Sequence, residues 1–152
     1  MKKIMTTLLL TAVFGVSVYA QKITTDKVPV LIMRAFKSKF VAANQESWSI
    51  ESKGVYEVEF YNEKKRQSAT FDTAGTWLST ETAIKLNQLP HAVATNFNKL
   101  FGDYMVQETL EVETPDKGTS YELTINKGAA GYEVVFSDKG ELVKKEAAKE
   151  ED

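Results

Sequence analysis

The chain has 152 residues, 43% of them hydrophobic and 26% charged, with a formal net charge of −2. That length supports one compact domain or two small half-domains sharing a core, and two unrelated domains would each be starved of core. The absence of cysteine excludes both a disulfide framework and a thiol nucleophile,. The mild acidity offers no basic field for phosphates, so nucleic acid is not an expected partner.

The first zone is a secretory signal: Lys2 and Lys3, then an apolar stretch from Ile4 through Val18, then Val18-Tyr19-Ala20, which fits the small-x-small cleavage rule,. Thr6, Thr7, Thr11 and Ser17 interrupt the stretch, which falls short of the roughly 18 to 20 apolar residues that a bilayer span needs. Residues 1–20 are expected to be removed after Ala20, leaving Gln21 first and no stable membrane span. The expected location is therefore periplasmic or secreted. Losing Lys2 and Lys3 makes the remaining chain more acidic.

The next element is a helix. Asp26 offers a side-chain acceptor to its first turn, Val28-Pro29 opens it, and Ile32, Phe36 and Phe40 form an apolar stripe spaced i, i+4, i+8,. Strands follow around Gln45 to Glu51 and over Tyr56 to Tyr61, where Tyr56, Val58 and Phe60 point one way and Glu57, Glu59 and Tyr61 the other,. Ala69 and Phe71 take the inward role on the next strand, and the turn Asp72-Thr73-Ala74-Gly75 leads into a strand over Thr76 to Thr82,.

The whole pattern then recurs. Asn87 corresponds to Asp26 and Leu89-Pro90 to Val28-Pro29, and the same offset carries the helical stripe onto Val93, Phe97 and Phe101,. Strands are expected around Met105 to Glu113, over Tyr121-Glu122-Leu123 to Ile125, over Tyr132 to Phe136, and over Glu141 to Glu146. A longer offset after the helix marks an insertion at the turn Thr114-Pro115-Asp116-Lys117-Gly118,. Gly140 takes the place of Gly75, as expected where the backbone needs positive φ. The layout is a signal peptide over residues 1–20, a first α-β4 unit over 21–83, a second over 84–146 and a charged tail over 147–152. A single sheet of this kind would have two helices on one face and leave the other open.

The order and duplication of Val28-Pro29, Tyr56-Glu57-Val58-Glu59-Phe60, Phe71-Asp72-x-x-Gly75-x-Trp77-Leu78 and their counterparts through Gly140-Glu141-Leu142 resemble the PepSY-like, beta-lactamase-inhibitor-like family. The resemblance implies an α+β fold in which two tandem helix-plus-four-strand units form one curved antiparallel sheet with both helices on one face. It also implies a partner held on the concave face. This sequence lacks the namesake inhibitor's disulfide cysteines and any match to its inhibitory loop.

Catalysis finds no support in the residues. The single histidine, His91, stands beside a proline in the first turn of the second helix, and no serine lies in a G-x-S-x-G or S-x-x-K setting,. The expectation is a protein that is not an enzyme, without metal or cofactor. Glu57, Glu59, Glu122 and Glu133 fall on the non-core side of their strands. A solvated strand face would look the same, and the sharper reading is an acidic surface for a basic partner, with Tyr61 and Trp77 as aromatic anchors. Trp77 aligns with Leu142, so it also has a core reading, as does Trp48. The hairpin Tyr61 to Arg66 adds Lys64 and Lys65 at a loop tip, where the equivalent loop Asn126 to Gly131 is less charged.

The leading functional expectation is an envelope binding protein that holds a protein or peptide on the open sheet face and loops, inhibition of an envelope enzyme being one form of that. The alternative is a small-ligand carrier or sensor with a pocket between helices and sheet, lined by Phe36, Phe97, Tyr56 and Tyr121.

Overall fold

The computed structural model describes residues 21–148, so the expected signal peptide and the last residues of the expected tail lie outside the described residues. Two helices begin directly after prolines whose rings fix φ at −54° and −55°: α1, Val30–Lys39, after Pro29, and α2, His91–Phe101, after Pro90,. Neither has a side-chain cap. Asp26 and Asn87, expected to supply one, lie instead in short 3-10 turns, Thr25–Lys27 and Leu86–Gln88, that deliver the chain to each proline.

The strands are β1, Gln21–Ile23; β2, Asn44–Ser52; β3, Val55–Asn62; β4, Lys65–Asp72; β5, Trp77–Ala83; β6, Met105–Thr114; β7, Gly118–Lys127; β8, Ala130–Ser137; and β9, Leu142–Ala147. They form one antiparallel sheet in chain order. Eight of the nine follow the expected layout. The ninth, β1, pairs with β2 through Gln21 to Ile23 and is too short to carry a periodic signal,. At the other end β9 runs through Ala147, the first residue of the segment expected to be tail.

Apolar burial explains the helices. Ile32, Phe36 and Phe40 of α1 pack with Trp48, Val58, Phe60, Ala69 and Phe71, while Val93, Phe97 and Phe101 of α2 pack with Tyr121, Leu123, Ile125, Val134 and Phe136. Phe36 is the hub of the first cluster, with ring centroids 5.0 Å from Phe60 and 5.3 Å from Trp48, both edge-to-face,. Trp48 is therefore core, being 2% exposed. Between the clusters runs a polar row of cross-strand partners, Gln67, Thr82, Glu111 and Tyr121. Gln67 Nε2 donates to Thr82 Oγ1 at 2.8 Å, and the Tyr121 hydroxyl donates to Glu111 Oε2 at 3.3 Å.

Gly75 and Gly140 have φ of +81° and +83°. A Cβ at Gly75 would lie 2.8 Å from the Leu31 carbonyl oxygen, and one at Gly140 would lie 2.5 Å from that of Ala92. Each turn is thus seated against the first turn of its helix. Gly118 also has positive φ but meets nothing within 4 Å. Gly118→Ala should therefore cost only the conformational penalty, about 1 kcal/mol. Gly140→Ala adds a backbone collision and should cost roughly 3 kcal/mol or more, read from urea midpoints of the two variants.

Candidate functional site

One face of the sheet carries continuous rows of cross-strand partners. Glu59, Ser68, Glu81, Val112, Ser120 and Ser137 are successive cross-strand partners from β3 to β8. A parallel row runs Ala83, Leu110, Glu122, Val135 and Lys144 from β5 to β9.

This face holds a cavity of about 410 Å³. Its apolar lining is Val55, Leu78, Val112, Val135 and Val143, with Glu51, Glu122, Thr70 and Ser79 among its polar groups. Two of those apolar residues arrive by bulges. Leu78 is the extra residue between the pairs Thr70–Ser79 and Phe71–Trp77, and Val143 is the extra residue between Val135–Lys144 and Phe136–Leu142,. The same device at corresponding places in β5 and β9 puts an aliphatic side chain on the open face. Thr70 and Ser79 bridge the neighbouring strands through their hydroxyl oxygens, 2.7 Å apart and buried.

The electrostatics of the face are dominated by carboxylates close enough to oppose one another. Burial, followed by the charges of Glu122, Glu57, Glu51 and Glu108, pushes the Glu81 carboxyl up to about 8,. Burial, followed by Glu133, pushes Glu122 up to about 7, with Lys144 acting in the other direction and Glu108 and Glu146 adding to the rise. Glu57 is raised by burial and by Glu59, and Glu51 by burial and by Glu57. Glu122 is only 8% exposed. The basic groups on this face already have partners: Arg66 reaches Glu59 at 2.9 Å, and Lys144 reaches Glu133 at 3.0 Å and Glu146 at 2.7 Å.

The sequence profile of the family described as "putative beta-lactamase-inhibitor-like, PepSY-like" matches residues 54–144. The chain belongs to this PepSY-like family. Among solved structures, a BLIP-like protein from Bacteroides fragilis is similar at 24% identity and TM-score 0.74, over 80% of this chain and 87% of that one. A protein from Bacteroides eggerthii described under "putative periplasmic proteins" is similar at 23% identity and TM-score 0.74, over 79% and 88% of the two chains. A DUF2874 family protein from Bacteroides ovatus matches at 22% identity and TM-score 0.74, over 78% and 86%. At these identities the likeness establishes the fold. No curated protein matches.

In this PepSY-like chain Glu57, Glu59, Tyr61, Glu122 and Glu133 lie on the shared face, as the alternation of their strands predicts. Tyr61 is 40% exposed. Lys64 and Lys65 are exposed at the β3–β4 turn, where Glu63 and Lys64 have φ of +48° and +68°. Trp77 stands apart from the group. It packs against the first core, donates from Nε1 to Thr80 Oγ1 at 2.9 Å, and carries the Lys39 ammonium 3.7 Å above its ring,. Phe36 and Tyr56 belong to the first cluster, Phe97 and Tyr121 to the second, so the four do not line a common pocket. The cavity lies across the sheet from them. Glu81 and Glu108 were not legible as part of this face, because the bulges at Leu78 and Gln107 break the strict alternation.

Among the described residues, no helix is long and apolar enough to cross a membrane. The raised carboxyls carry a consequence for stability. The folded chain binds protons at Glu81 and Glu122 that the unfolded chain, at the ordinary value of 4.5, releases. Their contribution to stability is complete below about pH 4.5 and is lost as pH rises through about 7 and about 8,. Melting temperature should fall between pH 5 and pH 9, and Glu81→Gln or Glu122→Gln should recover on the order of 5 °C at pH 9 while changing little at pH 5. Equal slopes in wild type and both variants would contradict the burial of these groups.

Proposed function

We propose that the protein is an exported, non-catalytic binding protein of the cell envelope that holds a protein or peptide on the open face of its sheet and the adjoining loops. The observation that carries this reading is the face itself: an apolar depression of about 410 Å³ bordered by carboxylates, on a side of the sheet that neither helix packs against. Membership of a beta-lactamase-inhibitor-like family supports a protein partner. Inhibition of an envelope enzyme is one form such binding takes. Export rests on the signal-like residues 1–20 and agrees with the periplasmic description of a structural neighbour.

In this reading the chain is two tandem units with both helices on one face. The ladder supports the shared face, since Val58, Ala69, Thr80, Glu113 and Thr119 are successive partners, and Thr119 is in step with Tyr121 and Leu123. The matched seats of Gly75 on Leu31 and Gly140 on Ala92, and the matched bulges at Leu78 and Val143, support the duplication. Glu57, Glu59, Tyr61, Glu122 and Glu133 form the docking surface, with Lys64 and Lys65 on an accessory loop. Trp77 acts from beneath by fixing β5.

Capture from an envelope extract tests the proposal. The wild-type protein should retain a discrete partner that the triple variant Glu57→Lys, Glu59→Lys, Tyr61→Ala loses by at least tenfold, with the variant's circular dichroism unchanged. Equal recovery on wild type and variant would defeat it.

A further inference from the structure

Glu122 sits in an unusual position for an ionisable group. It is 8% exposed on the open face and lines the cavity, and among the described residues it makes no hydrogen bond or ion pair, although its carboxyl oxygens are not sealed from solvent. Buried carboxylates are ordinarily paired, because an unpaired one forfeits its hydration without return. The nearby cations relieve it only in part: Lys144 draws its pKa down but is shared with Glu133 and Glu146, and Lys117, also at the cavity, is 4.0 Å from Asp116. The walls in front of Glu122 are aliphatic, from Val112, Val135, Leu78 and Val143. A site with aliphatic walls whose most deeply buried ionisable group is an unpaired carboxyl, with Glu51, Asp116 and Asp138 also on its lining, has a complement of the same form, a hydrocarbon stem ending in a cation,.

We propose that this cavity is a receptor for one arginine or lysine side chain presented by an extended segment of a partner protein, with Glu122 as its counter-charge. The inference rests on the binding-protein reading above and specifies its chemistry. A peptide is favoured over a free small cation because the acidic character extends past the cavity to Glu57, Glu59 and Glu81, which border a second, shallower depression with Arg66, Glu108 and Leu110. At the alkaline pH where Glu81 and Glu122 ionise, the negative region spans several strands, wider than one small molecule and matched by a chain carrying positive charge along its length,. The stem of the bound side chain covers the valines, and its head supplies the partner that Glu122 lacks.

Occupancy is linked to protons. Binding a cation requires the Glu122 carboxylate; the charged groups around it are Glu133, Lys144, Glu108 and Glu146, with Glu81 across β6 and with Glu51, Asp116, Lys117 and Asp138 on the same cavity lining. With the free carboxyl at about 7, affinity should fall roughly thirtyfold from pH 8 to pH 5.5.

Titration calorimetry of the purified protein with alanine-flanked pentapeptides tests this, the central residue being arginine, lysine, or the neutral isosteres citrulline and norleucine. The expected result is at least tenfold tighter binding of arginine than of citrulline and of lysine than of norleucine. Glu122→Gln should abolish both the preference and the pH dependence. Val143→Arg, at a position 60% exposed and so tolerant of the change, should block the cavity with the chain's own cation and remove binding of the cationic peptides. Equal affinity for arginine and citrulline, or a preference that survives Glu122→Gln, overturns the proposal. So does agmatine binding as tightly as the arginine peptide, which would make the cavity a small-cation site. If the envelope partner is still captured and lost with the triple variant while no cationic preference is found, this inference falls and the binding-protein reading stands. If neither is found, both fall.

Discussion

The pairing of β5 with β6 is the contact on which the rest of the molecule depends. Thr80 to Ala83 meet Glu113 to Leu110 over four registered positions, and α2 is accommodated in the connection between those two strands. Each half has its own aromatic cluster under its own helix, so packing alone would allow the halves to sit at any angle. The short ladder removes that freedom. It brings Thr70, Leu78 and Ser79 from one side into the same depression as Val112, Ser120, Glu122 and Val135 from the other, so the cavity exists only because the seam is hydrogen-bonded.

That seam is also where the structure accepts unfavourable electrostatics. Glu81 lies on β5 and Glu122 on β7, one on each side of β6, and both are driven upward by burial and by one another's neighbours. A face shaped only for stability would carry threonine or serine there, as it does at Thr70 and Ser79. Local destabilisation at a recessed surface is the ordinary mark of a group kept for binding rather than for folding.

Much of this was legible in the chain. The i, i+4, i+8 stripes of Ile32, Phe36, Phe40 and of Val93, Phe97, Phe101 predict both helices and both buried faces, and period-two alternation places Glu57, Glu59, Glu122 and Glu133 opposite the core. What escaped has specific causes. Bulges add a residue and reverse the alternation, so Ser79 and Glu81 share the open face with Leu78, although continuing the period from the core-facing Trp77 would turn them inward. The helix caps failed because a 3-10 turn and a proline ring do the work assigned to Asp26 and Asn87. The carrier pocket failed because Phe36 and Tyr56 belong to one core and Phe97 and Tyr121 to another, instead of lining one space.

The order of strands has a consequence at its margins. A sheet running from β1 to β9 without closing has two free borders, and free borders recruit further strands unless something discourages them,. Among the described residues one border, β1, is three residues long, and the other, β9, carries Lys144, Lys145 and Glu146 in succession. Neither is a good template for strand addition. On the proposed reading, a partner would thereby be directed away from the rims and onto the broad surface between them, where recognition relies on side chains instead of main-chain amides.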